Sequence, residues 1–184
     1  MADKTAIIAG LGNPGRQYAG NRHNVGFMVV DALAEHFGTS TGRNKWQAEY
    51  EKVRAEDAGG NPMDVILMKP LTFMNGSGQA VCPACRFYKA PADRLLVVHD
   101  ESEIAFADLR FKKGGGHKGH NGLRDIIAKC GSADFHRLRV GVGRPEHRDL
   151  AGYLLADFSS DEQGEMDAYL ARAVKMCLEW IGKL

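Results

Sequence analysis

The chain has 184 residues, 44% hydrophobic and 26% charged, which fits one domain with its own core and excludes a disordered or fibrous chain. A formal net charge of +1 excludes a uniformly basic nucleic-acid binder. No run approaches the roughly 18 apolar residues of a membrane helix, and the opening MADKTAIIAG holds only a short apolar stretch, so a soluble, cytoplasmic protein with no membrane contact is expected.

Taken in order, residues 5–9 form a short apolar run ending in glycine, and residues 25–37 place Phe27, Val30, Leu33, Ala34 and Phe37 at helical spacing. Residues 46–53 and 63–68 are strand candidates on either side of the turn signal GGNP at 59–62, which predicts a hairpin. A helix over residues 77–88 follows the Asn75-Gly76 break, and LLVVHD at 95–100 is a buried type of strand. Residues 104–111 read as a strand, 122–130 as a helix and 137–142 as a strand. Residues 160–183 form an amphipathic helix with Asp161 and Glu162 in its first turn, where the helix dipole favours acids. Strands interleaved with helices, plus a hairpin, predict a single α/β domain with a mixed, twisted sheet flanked by helices.

Four cysteines are present, and Cys82 and Cys85 form CPAC, a redox-type spacing. The motif lies inside a predicted helix rather than between a strand and a helix, and no secretion signal implies an oxidising compartment, so reduced thiols are expected.

The loop FKKGGGHKGHNGL at 111–123 asks what must approach its backbone so closely. Three successive glycines permit positive φ and expose main-chain N–H groups. Gly114 and Gly119 have P-loop spacing, but His120 and Asn121 stand where lysine and a hydroxyl would be required, which excludes a nucleoside triphosphate. Between Asp108 and Arg139 there are eight basic and three acidic residues, so this segment is +5 and the rest of the chain −4. Such a local basic patch is the footprint expected for phosphate-backbone binding.

Polar groups collect at predicted strand ends. Asn13 and His23 follow the first strand, Asn75 follows the residue 63–68 strand, Asp100 ends LLVVHD, and Asn121 closes the glycine loop. Ligands of open α/β sheets bind beyond the carboxyl ends of strands, so these loops are expected to converge. His23 has the side chain for a general base near neutrality, with Asp100 as the carboxylate that orients it. No G-x-S-x-G motif offers a serine nucleophile, which favours water. His117 and His120 lack credible further metal ligands nearby in sequence, so no metal or cofactor is expected. Gly10, Gly12 and Gly15 match G-x-G-x-x-G, the basis of a dinucleotide-binding alternative, but Pro14 lies inside the motif and no helix starts at once. An RNA-binding module without catalysis is the other alternative, resting on the basic patch.

Five segments in order, GLGNPGRQYAGNRHNVG at 10–26, KPLTFMNGSG at 69–78, VVHDE at 97–101, FKKGGGHKGHNGL at 111–123 and FHRLRVGVGRP at 135–145, resemble bacterial-type peptidyl-tRNA hydrolases. The resemblance implies a monomeric, metal-free, single-domain enzyme that hydrolyses the ester between a peptide and the 3′ end of tRNA in translation. It implies His23 as catalytic base, Asp100 as its partner and Asn13 beside them. Tyr18, Phe73, Asn75 and Asn121 would meet the peptide and terminal adenosine, while Lys112, with His120 in the same loop, would face the tRNA. In two respects the chain departs from that pattern: SEIAFAD follows Asp100 in place of a proline-and-glycine connection, and the sequence ends at Leu184 without a basic tail.

Overall fold

The computed structural model describes residues 4–184. Its strands are β1 (Thr5–Gly10), β2 (Arg43–Lys45), β3 (Ala48–Glu56), β4 (Pro62–Pro70), β5 (Leu95–Glu101), β6 (Leu109–Lys113) and β7 (His136–Gly141). They form one seven-stranded sheet in the order β2-β3-β4-β1-β5-β7-β6. β4, β1, β5 and β7 run parallel, whereas β2, β3 and β6 are antiparallel to their neighbours. The helices are α1 (Val25–His36), α2 (Gly78–Tyr88), α3 (Asn121–Cys130), α4 (Leu150–Leu154) and α5 (Ser160–Ile181).

Every residue of β1 is buried, as expected of a central parallel strand covered on both faces. Alternation along it divides the core. Ala6 and Ile8 join α1 and α5 on one face, with Leu33, Val98, Cys177 and Trp180; Ile7 and Ala9 join α2 and α3 on the other, with Ile66, Val97, Ile126 and Phe135. α5 starts at a capping box, in which Ser159 Oγ accepts from Glu162 N–H and Glu162 Oε1 accepts from Ser159 N–H.

The predicted mixed α/β sheet and most element positions agree with this architecture. Trp46 and Gln47 are not strand residues: both take φ of 53°, forming a tight turn between β2 and β3, so the sheet gains an edge strand at Arg43–Lys45. Residues 104–108 are not strand either. Ile104 packs its side chain into the core from a turn, and the carbonyls of Ile104 and Asp108 accept from Gly143 and Gly141. The cysteines also differ from the expectation of four free thiols: Cys82 is bonded to Cys130, and only Cys85 and Cys177 are free. CPAC is therefore not a vicinal redox pair; helix geometry turns Cys82 inward toward α3, while Cys85 is only half-buried. No helix among the described residues is long and apolar enough to cross a membrane.

Candidate active site

The carboxyl ends of β1, β4 and β5 deliver Asn13, the Phe73–Asn75 segment and Asp100 to one end of the sheet, where a cleft of about 680 Å³ opens. His23 stands there in the 3-10 turn Arg22–Asn24 that leads into α1, because the first turn of α1 lies almost on the strands. A Cβ on Gly26 would stand 2.5 Å from both Leu11 N and Val98 O, so only glycine permits the approach.

The glycine loop arrives differently. β6 runs antiparallel to β7, so residues 114–120 must climb back along the sheet to reach the cleft. Gly114, Gly115 and Gly119 make that path with φ of 69°, 93° and 83°. The Arg137 guanidinium, buried beneath, donates to the carbonyls of Gly115, Gly116 and Ala133. The loop ends with His120 capping α3, its Nδ1 accepting from Leu123 N–H at 3.3 Å.

Asp100, fully buried, accepts from two imidazoles. Its Oδ2 lies 2.8 Å from His23 Nδ1 and its Oδ1 lies 2.8 Å from His120 Nε2. The hydrogen bonds assign different roles to the two rings. Because His120 Nδ1 accepts a main-chain N–H, that nitrogen carries no proton, and the Nε2 facing the carboxylate must be the one that does. His23 donates Nδ1–H to Asp100, which leaves Nε2 as a lone pair on the cleft side. Burial opposes charge on His23, but the adjacent Asp100 charge and hydrogen bond outweigh it and raise the pKa above the ordinary histidine value. Burial likewise opposes the Asp100 carboxylate, and the two imidazoles overcome that to hold it well below the usual range.

Beneath them lies His99, which motif reading passed over. Its ring meets that of His120 edge-on at 4.9 Å and its Nδ1 lies 2.8 Å from the Asp100 carbonyl oxygen, so that nitrogen donates. Burial, followed by the neighbouring His120, pushes its pKa down to about 3, so it packs as a neutral ring. A strand-internal histidine gives no pattern signal beyond its neighbour Asp100.

Asn13 is fixed by a reciprocal pair: its N–H donates to Asn24 Oδ1 at 2.9 Å and its carbonyl accepts from Asn24 Nδ2 at 2.8 Å. Asn13 Oδ1 accepts from Met74 N–H at 2.7 Å, which orients the amide and leaves its N–H donors free for a substrate. Asn24 is the positioning residue missed in sequence. Phe73 projects into solvent at 51% exposure from a backbone with φ of 60°. Tyr18 meets Phe73 edge-on at 6.4 Å, placing it at the rim rather than in the wall of the cleft. Asn75 and Asn121 are exposed lining residues, and Leu150 and Leu154 of α4 add an apolar side.

Lys112, Lys118, Arg137 and Arg139 form a cationic wall, with Glu101 as the acid beside Arg139. Slight burial, followed by Lys118, Arg137 and Arg139, depresses the pKa of Lys112, as expected where like charges crowd. Lys113 is not part of it. Strand alternation turns it to the other face, beside His136, with which it is in register.

His23, Asp100 and His120 could in principle supply three metal ligands, since their donor atoms lie within 4.8 Å of one another. The proton assignment argues otherwise. His120 Nε2 could bind a cation only by losing its proton, which would make an imidazolate or break the Leu123 cap. The G-x-G-x-x-G glycines also have a structural use: a Cβ on Gly12 would strike the Phe27 ring at 2.8 Å, and one on Gly10 would lie 2.1 Å from Gly26 O. They let α1 settle on the sheet.

Fold and site define an α/β protein with a carboxylate-bound histidine at the strand ends, in a cleft that is cationic on one side and apolar on the other. A family model described as peptidyl-tRNA hydrolase matches residues 7–183. The chain is 45% identical to the peptidyl-tRNA hydrolase of Sorangium cellulosum over 94% of this chain and 77% of that protein. It is 49% identical to that of Streptomyces coelicolor, over 91% and 84%. The crystal structure of peptidyl-tRNA hydrolase from Acinetobacter baumannii superposes with a TM-score of 0.84 at 37% identity, covering 97% of this chain and 91% of the other. The chain belongs to the peptidyl-tRNA hydrolase family.

Proposed function

We propose that the protein hydrolyses the ester joining a peptide, or an N-blocked amino acid, to the 3′ end of tRNA, and that His23 activates the attacking water without a metal. The observation that carries the reading is the double tether on Asp100: one oxygen is taken by His120 Nε2 and the other by His23 Nδ1, so His23 Nε2 faces the cleft as the available base. His23 Nε2 takes a proton from water as the oxygen attacks the ester carbonyl, and Asp100 stabilises the resulting imidazolium. Negative charge develops on the carbonyl oxygen, for which the exposed amide of Asn75 is a neutral donor. As the intermediate collapses, the imidazolium returns its proton to the departing ribose 3′ oxygen. No cofactor takes part, the only partner needed is peptidyl-tRNA, and the protein acts as a cytoplasmic monomer. Release of N-acyl amino acid from N-acylaminoacyl-tRNA in the presence of EDTA is the direct test. Undiminished turnover is expected; loss restored by added zinc would overturn the metal-free mechanism.

Asn13 is the residue we assign to specificity. Its free N–H donors suit the carbonyl of a blocked amino group and are mismatched to a charged ammonium. Asn13→Ala is expected to narrow the preference for blocked over unblocked substrate. An unchanged ratio of the two kcat/KM values would remove this role.

The cationic wall would meet tRNA phosphates. Lys112→Ala is expected to weaken tRNA binding and to lower the slope of log K against log salt by about one unit. Lys113→Ala, on the other face, should leave the slope unchanged, although both lysines belong to the same KK pair. Equal effects of the two substitutions would show that the wall does not select a face.

A further inference from the structure

The disulfide joins the two helices whose leading ends form the cleft. Cys82 lies within α2, which follows the turn carrying Asn75, and Cys130 ends α3, which begins at Asn121 behind His120. Their Cα atoms are 5.3 Å apart, and the bond closes a separation of 48 residues. At the cleft end these helices are pinned by close packing. Gly78 N–H donates to Asp125 Oδ2 at 2.8 Å, and a Cβ on Gly122 would stand 2.7 Å from Met74 Sδ. The sulfur bridge is the second pin, farther along both helices.

A second cavity, of about 390 Å³, opens on this bridge. Cys82 is buried, but Cys130 is half-buried and is the sulfur an entering molecule would reach. Exposed Arg86 and Lys89 line the same cavity and favour an anionic visitor. Cys85 also lines it, one helical turn from Cys82. Burial pushes its thiol up to about 11, so it stays protonated and is not the attacking group.

We propose that Cys82–Cys130 is a reversible redox site, opened through Cys130 by a small anionic thiol of the glutathione class, and that opening it loosens the helix pair whose leading ends adjoin Asn75 and Asn121. The thiolate attacks Cys130 Sγ, the protein S–S bond breaks, and Cys82 leaves as a thiolate that takes a proton from water. A second thiolate then attacks the visitor's sulfur in the mixed disulfide, and Cys130 leaves and is protonated in turn. The protein gains two electrons and two protons, and two small thiols become one disulfide. The small-molecule disulfide drives the reverse.

The test poises the intact protein in glutathione or in glutathione disulfide, then denatures it, alkylates it with N-ethylmaleimide and weighs it. Two adducts are expected in the oxidised buffer, on Cys85 and Cys177, and four in the reduced buffer. The reduced form should melt roughly 5–10 °C lower, because the cross-link no longer restricts a long loop of the unfolded chain. Backbone amides of α2 and α3 should exchange about tenfold faster or more under conditions where exchange is by local opening, a larger change than in α1 and α5. Cys130→Ser should carry three adducts and melt with the reduced parent in both buffers, whereas Cys85→Ser should respond as the parent does. Four adducts in the oxidised buffer, two in both buffers, or equal melting and exchange at the two poises would each overturn the proposal. None of these readouts depends on catalysis.

Discussion

His23→Ala is expected to lower turnover by about 10²- to 10⁴-fold, the range for loss of a general base, while tRNA binding stays within about threefold of the parent. The separation follows from the geometry. The proposed base sits on Asp100, whereas the proposed phosphate contacts, Lys112 and its neighbours, lie along another wall of the cleft. Removing the imidazole leaves His120 still bonded to Asp100 Oδ1 and capping α3, so the loop keeps its position. Single-turnover hydrolysis with saturating enzyme, alongside filter binding of deacylated tRNA, measures the two quantities. Turnover within about threefold of the parent would remove His23 from the proton transfer. A parallel fall in tRNA affinity would mean that His23 holds the cleft together rather than reacting in it.

The parent's pH dependence follows from the same pair. Asp100 raises the His23 pKa, so the free base is lost as pH falls through a value above that of ordinary histidine. The acid limb of kcat/KM should therefore lie above about 6.5, the unperturbed imidazole value.

How much of this was legible in the sequence varied with the range of the physics involved. Continuous apolar runs such as residues 5–9 and 95–100 identify central parallel strands, because burial on both faces removes the alternation. Strand ends could then be guessed, and Asn13, Asn75, Asp100 and Asn121 do meet at one cleft. The pairing of His23 with Asp100 was read correctly across 77 residues. Nothing local says that Asp100 also binds His120, 20 residues away, or that Asn24 clasps Asn13. Cysteine pairing failed for a related reason. CPAC catches the eye by proximity, but α2 and α3 pack with Cys82 against Cys130 at a separation of 48, beyond the reach of any spacing rule. Short elements were lost as well: α4 has five residues, too few for a helical period to register. The basic patch was legible as a sum but not by face, since Lys112 and Lys113 contribute equally to charge and point opposite ways.

Asp100→Asn is the sharper test of the mechanism, because it keeps the shape while it changes which atoms accept and removes the charge. Asp100 accepts two imidazole N–H donors, one on each oxygen. An asparagine has one acceptor oxygen and one donor NH₂, so one histidine must change its proton position. His120 cannot, since Leu123 N–H holds its Nδ1 unprotonated and its Nε2 must go on donating. The amide oxygen is therefore taken by His120, and the NH₂ faces His23 Nδ1. His23 is driven to the other tautomer, with its proton on Nε2, and the atom that should accept from water becomes a donor. Turnover is expected to fall by about 10²- to 10⁴-fold. With the carboxylate gone, the influences that raise the His23 pKa disappear and burial, which lowers it, is left. The acid limb of the residual activity should accordingly move to lower pH. Imidazole nitrogen chemical shifts of His23 would report the tautomer directly, with the proton on Nδ1 in the parent and on Nε2 in the variant. A variant with parental turnover, or one whose His23 keeps its proton on Nδ1, would mean that the carboxylate does not set the state of the base.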